Sequence, residues 1–97
     1  MMFSKKCYNL LKKVPRGKVV SYKQIAEQVN IKAYRAVGNA MNKNKYKDVP
    51  CHRVVESDGS IGGFVRGVDE KIRLLRKEEI EVVDGKIDLK KYGYFFK

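Results

Sequence analysis

Residues 21 to 42 read SYKQIAEQVNIKAYRAVGNAMN, and this stretch decides the fold. It opens with Ser21, and Gln24 follows three residues later. That is the S-x-x-Q pattern in which cap and side chain satisfy each other's backbone N–H groups at a helix start. Tyr22, Ile25, Ala26 and Val29 then recur on one face. Asn30 and Ile31 make a short connection. A further helix is predicted from about Ala33 to Asn42, with Ala33, Ala36, Val37, Ala40 and Met41 on its apolar side. Its other face carries Lys32, Arg35, Asn39 and Asn42. Two short helices across a tight turn have the form of a helix-turn-helix, whose second helix lies against a DNA groove. Small residues on that helix, Ala36 and Gly38 among them, would let its backbone come close to a sugar-phosphate chain. The same pattern also fits two ordinary amphipathic helices of a core.

Upstream, Cys7, Leu10, Leu11 and Val14 fall on one face, predicting a helix over Ser4 to Val14 with Ser4 as its cap. Pro15-Arg16-Gly17 stops it, and Val19-Val20 follows as a short extended stretch. Downstream, Lys43 to Val49 is polar and loop-like. Val54-Val55 reads as extended, and Asp58-Gly59 as a turn. Ile61-Gly62-Gly63-Phe64 is too glycine-rich for a rigid strand and marks a pliable segment near a site. Asp69 is placed to cap a helix running to about Glu79, with Val68, Ile72, Leu74 and Leu75 as its apolar side. Val82-Val83, Asp84-Gly85 and Ile87 carry a hairpin signal. Tyr92, Tyr94, Phe95 and Phe96 are read as packing residues. The fold expected is mainly α: one small winged helix-turn-helix-like domain over residues 1–97, with short β segments.

Ninety-seven residues, 43% of them hydrophobic, suffice for one core. Lys and Arg number 22 against 11 Asp and Glu, a formal charge of +11. A domain so basic points to a polyanion, nucleic acid first, although a lysine-rich surface kept for solubility would look the same. The two cysteines, Cys7 and Cys51, form no C-x-x-C pair, and one histidine cannot build a zinc cluster. No leader and no membrane-length apolar run is visible in the sequence. The thiols are expected free, in a cytoplasmic (prokaryotic, DNA-associated) or nuclear protein that acts as a monomer away from membranes.

Cys51 stands beside His52. A thiol attacks well only as thiolate, so it needs a base, a cation or a helix N-terminus nearby. His52 can serve as that base, directly or through one water, provided an acid orients it. The plainer alternative is a buried cysteine beside a satisfied core histidine. Cys7, on the apolar face of the first helix, is read as core.

Pro50-Cys51-His52-Arg53-Val54-Val55 resembles the active-site motif of the methylated-DNA–protein-cysteine methyltransferases, the O6-alkylguanine-DNA alkyltransferases. The resemblance extends to Val14–Tyr22, to Arg35–Met41, to Ser57–Gly67 and to Lys71–Glu78, about residues 5 to 80. It implies double-stranded DNA bearing an alkylated guanine as partner, no cofactor, no metal, and a single irreversible transfer to Cys51. His52 matches a base acting through water, and Glu78 the acid orienting it. Tyr22 matches a tyrosine that crowds the target phosphate and donates toward guanine N3. Arg35 matches the arginine filling the gap left by a flipped base, with Ala36 and Gly38 beside it on the DNA-facing helix. Asn44 matches a hinge asparagine, Met41 a pocket wall, and Lys71 a lysine near the site. Val54 matches a carbonyl that meets the guanine amine, and Val65 a backbone N–H toward guanine O6.

Four features depart from the family. Its usual amino-terminal domain is expected to be absent. The loop from Asn44 to Pro50 is about one residue shorter and lacks a proline after the asparagine. Phe64 and Val65 stand where tyrosine and serine are common. Three other functions compete. Alkyltransferase-like lesion sensors share the fold but replace the acceptor cysteine, which Cys51 opposes. A winged helix-turn-helix regulator leaves Cys51-His52 and Glu78 without a purpose. A cysteine hydrolase lacks an oxyanion-hole motif.

Overall fold

In the computed structural model the described residues are 3–30, 34–44, 48–64 and 66–96. Helix α1 spans Phe3–Leu11 and buries Cys7, Tyr8 and Leu11. It begins before Ser4, which is therefore inside the helix and not its cap. It also ends three residues earlier than the periodicity predicts. Pro15 disfavours helical backbone at Val14, so the chain tightens, with Val14 N–H donating to Leu11 O at 3.0 Å. Val14 still reaches the core, 1% exposed.

Strand β1, Val20–Ser21, runs straight into helix α2, Tyr22–Gln28. Ser21 belongs to both. Gln24 N–H donates to Ser21 Oγ at 3.1 Å, and Ser21 N–H donates to Gln24 Oε1 at 2.8 Å, so the capping box forms as read. The chain leaves α2 through Asn30, whose φ of 61° is a left-handed conformation that asparagine tolerates. Helix α3 spans Tyr34–Asn42 and packs on α1 and α2. Val37, Ala40 and Met41 are buried while Arg35, Asn39 and Asn42 are exposed, as predicted. Ile31, Lys32 and Ala33 lie outside the described residues. Tyr8 OH donates to Ala40 O at 2.6 Å, tying α1 to α3.

Strand β2, Val54–Val55, pairs parallel with β1, Val20 opposite Val54 and Ser21 opposite Val55. A parallel pair needs a long crossover, supplied here by α2 and α3. Alternation along these strands divides the interior. Val20 and Val54 face a core with Cys7, Leu11, Ile25, Val37 and Met41, while Val19 and Val55 face a second core with Ile61, Leu75, Ile80 and Ile87.

Helix α4 spans Val68–Lys77. Its N-cap is Gly67, not Asp69, because the entry needs a φ of 97° that glycine alone adopts readily. Asp69 and Glu70 sit in the first turn, where the helix dipole favours them. Val68, expected on the apolar side, is 46% exposed. The helix stops at Lys77, and Glu78 is its C-cap. Beyond it, Val83 and Lys86 bridge across Asp84-Gly85, whose φ values of 52° and 72° suit a tight hairpin turn. Helix α5, Leu89–Tyr92, is capped by Asp88. The tail clasps β1: Val19 N–H donates to Tyr92 O at 2.9 Å, and Tyr94 N–H to Val19 O at 2.8 Å. Tyr94 and Phe96 pack edge to face as core neighbours, whereas Phe95 is exposed. No helix among the described residues is long and apolar enough to cross a membrane. The result is a mainly helical small domain with a two-stranded sheet.

Candidate active site

Cys51, His52 and Arg53 form one 3-10 turn leading into β2. Pro50 starts it, and Arg53 N–H closes it onto Pro50 O at 3.0 Å. Successive residues of so tight a turn point different ways, and the site depends on this. Cys51 turns inward, 5% exposed. Asn44 Nδ2 donates to its Sγ at 2.8 Å, and Met41 Sδ lies 3.6 Å from the same sulfur. Burial pushes the Cys51 thiol up to about 11, opposed by the Asn44 donor and by the charges of Lys71 and Arg66. The resting group is therefore a thiol, and reaction requires a base.

His52 turns toward α4. Its Nε2 lies 2.5 Å from Glu78 Oε2. Burial lowers the imidazole below its ordinary 6.5, against the pull of Glu78. A neutral ring whose Nε2 faces a carboxylate carries its hydrogen there, which leaves Nδ1 as the basic nitrogen.

Glu78 is a hub. Arg53 Nε reaches both its oxygens at 3.0 and 3.1 Å, Arg53 Nη2 reaches Oε2 at 2.9 Å, and Gly17 N–H reaches Oε1 at 2.8 Å. Arg53 Nη1 continues to Val14 O at 2.9 Å. Burial alone would raise Glu78, but these donors outweigh it and hold the carboxyl below its usual 4.5. An anion with this many donors orients His52 without taking its proton. Arg53 and Gly17 were not singled out from the sequence. Their signal was position: both stand inside the segments that carry the resemblance.

Lys71 is 0% exposed. Its Nζ donates to Val54 O and Ile61 O at 2.6 Å each and to Gly63 O at 3.0 Å. It thereby pins the glycine-rich segment to β2. The Val54 carbonyl, expected to meet a guanine amine, already accepts from this ammonium. Burial brings Lys71 down to about 8, and its Nζ stands 5.9 Å from the centre of the Tyr22 ring. Tyr22 is half-buried in the first turn of α2. Burial first, then the charge of Glu56, pushes its hydroxyl to about 12, so it stays protonated and keeps a hydrogen to donate.

An open groove of about 420 Å³ runs beside this cluster, lined by Tyr22 and Lys23 of α2, by Arg35, Gly38, Asn39 and Asn42 of α3, and by Glu56, Ser57 and Gly63. A Cβ at Gly38 would meet nothing within 4 Å, so the helix surface there is open to an approaching backbone. Ala36 is half-buried and does not line the groove. Cys51 does not line it either, whereas Tyr22 does. The structure thus brings Met41 and Asn44 onto the Cys51 sulfur, joins His52 to Glu78, and joins Lys71 to the Val54 carbonyl beneath the Tyr22 ring. Arg35 and Gly38 stand apart on the groove. Val65 lies outside the described residues.

Residues 2–80 match the family described as "6-O-methylguanine DNA methyltransferase, DNA binding domain". The chain is 44% identical over 89 residues to the bifunctional methyltransferase/endonuclease of Picrophilus torridus, covering 90% of this chain and 30% of that one. Among solved structures, S. pombe Atl1 bound to damaged DNA containing O6-carboxymethylguanine superposes with a TM-score of 0.84 at 30% identity, over 95% of this chain and 94% of that one. The O6-methylguanine-DNA methyltransferase of Pyrococcus kodakaraensis superposes with a TM-score of 0.74 at 46% identity, over 82% and 47%. The chain spans between 22% and 50% of the length of the curated relatives it matches, the Picrophilus torridus protein among them. With four-fifths of its residues matched from end to end of the site, this chain belongs to the 6-O-methylguanine DNA methyltransferase family and carries its DNA-binding domain.

Proposed function

We propose that this chain repairs double-stranded DNA by moving the alkyl group of an O6-alkylguanine onto Cys51, once per molecule. The observation that carries the reading is a thiol directly followed by a histidine whose far nitrogen is 2.5 Å from an arginine-clamped carboxylate. In this scheme the sulfur is buried and cannot reach the major-groove edge of a stacked guanine, so the guanine must swing out to meet it. Arg35, at the start of α3, fills the gap and offsets part of the unstacking cost, about a few kcal/mol. His52 Nδ1 takes the thiol proton through a water. Sγ forms a bond to the alkyl carbon as the C–O6 bond breaks. The electron pair of that bond stays on the base, which recovers one proton and leaves as guanine. Tyr22 donates a hydrogen bond to the departing base and so stabilises the charge it develops. The product thioether has no leaving group that water can displace under mild conditions, so the sulfur is spent.

The test is the mass of the Cys51 peptide after incubation with a duplex carrying one O6-methylguanine. A gain of one CH2 on that peptide, with plain guanine left in the DNA, is expected. Binding without any mass gain would overturn transfer. It would favour recognition of the lesion alone, a second reading supported by the match over nearly the full length of a protein crystallised on damaged DNA.

A further inference from the structure

Among the described residues, Glu56 is the only acid lining a groove whose other charged walls, Lys23 and Arg35, suit phosphates. A carboxylate weakens DNA binding there, so its place calls for a reason. Its backbone is held firmly. Glu56 N–H donates to Ser60 O at 2.9 Å, and Gly59 N–H donates to Glu56 O at 3.0 Å, directly after β2. Its side chain and the Tyr22 ring flank the same glycine: a Cβ at Gly62 would meet Glu56 Oε2 at 3.3 Å and Tyr22 Cε2 at 3.5 Å. No salt-bridge partner neutralises it among the described residues. Lys71, a cation that feels its charge, directs its three hydrogen bonds to the carbonyls of Val54, Ile61 and Gly63. Glu56 and Tyr22 line the same groove and flank the same glycine, so a base held against Tyr22 lies within the field of this carboxylate.

We propose that Glu56 is a specificity-determining residue that admits neutral O6 substituents and disfavours anionic ones. This rests on the reading of the site as one that takes an O6-alkylguanine. Two duplexes of one sequence test it, one with O6-carboxymethylguanine and one with O6-(2-hydroxyethyl)guanine, which is similar in size and neutral. Their affinities for Cys51→Ala protein are compared with Glu56 intact and as Glu56→Gln. Removing one charge at groove distance should tighten the carboxymethyl duplex roughly fivefold relative to the hydroxyethyl one. Added salt should shrink that gap. Glu56→Ala should give the same ratio. An equal change for both duplexes would overturn the charge filter, whatever its size. Transfer by protein with Cys51 intact is measured alongside. If neither duplex loses its substituent yet the ratio shifts, the transfer reading fails and the filter stands.

Discussion

Two buried thiols make the sharpest contrast in the molecule. Cys7 is 0% exposed and Cys51 is 5% exposed, so burial does not separate them. Their surroundings do. Cys7 sits on the inner face of α1 among aliphatic and aromatic groups, and burial alone raises it. At Cys51 the same burial is opposed by an amide donor and two cations, and the next residue begins a chain of polar groups running to Gly17. The difference teaches that two equally buried thiols are told apart by the polar order around them and not by access to solvent.

The largest effect should come from exchanging roles. Cys51→Ala is expected to abolish alkyl transfer while leaving DNA binding in place. Cys7→Ala should leave transfer intact and cost about 1 kcal/mol of stability through a small cavity. Mass analysis and urea melts check both, and transfer surviving in Cys51→Ala would break the contrast. Next comes the polar chain. Glu78→Gln should slow transfer roughly a hundredfold by loosening the base, and Arg53→Gln should slow it less. Single-turnover rates read both, and Cys7 labelling in denaturant titrations should move only as global stability moves.

Lys71→Ala should follow. It leaves the carbonyls of Val54, Ile61 and Gly63 without their donor, and it also removes a buried charge that carries its own cost. A net loss of about 2 kcal/mol is expected from chemical denaturation. An unchanged midpoint would mean that water replaces the ammonium easily.

The smallest effect is the response to pH. The folded His52 titrates below 6.5, so its contribution to stability is present above 6.5 and is lost as pH falls from there through the folded value. Glu78 adds to the loss below 4.5. Transfer should fall in acid with His52, whereas Cys7 stays a thiol throughout. On the alkaline side both raised thiols behave alike. Their stabilisation is full below the ordinary 9.0 and is lost as pH climbs toward the folded values, about 11 for Cys51. Melting temperature and transfer rate measured across the range separate the two sides.

Local chemistry was legible where one short stretch held both partners. Ser21 and Gln24 announced their cap, and Asp84-Gly85 its turn. The Cys51-His52 pair suggested a nucleophile and base, and the structure joins His52 to Glu78. What escaped was set by tertiary partners. Nothing in Val54-Val55 says that a two-residue strand pairs parallel with Val20-Ser21, because so short a run has no pattern to specify its neighbour. Asp69 looked the better cap, yet the left-handed entry at Gly67 decided where α4 begins. The first helix was carried one turn too far, to Val14, because Pro15 acts on the residue before it, and Ser4 lies inside α1 and not at its cap. A full burial of Lys71 runs against its residue type and follows from three carbonyls brought together by separate segments. Arg53 and Glu56 stood in plain view beside motif residues, but their partners, Glu78 and Tyr22, are distant in sequence.

Glu78 accepts from Gly17 N–H with the same carboxylate that steadies His52. The amide hydrogen of Gly17 is consequently a built-in reporter. It can trade with deuterium from solvent only when its bond to Glu78 opens, so its exchange rate measures how firmly the carboxylate that also holds His52 is kept in place. A lesion-bearing duplex that tightens the site would slow that one amide, far along the chain from the sulfur.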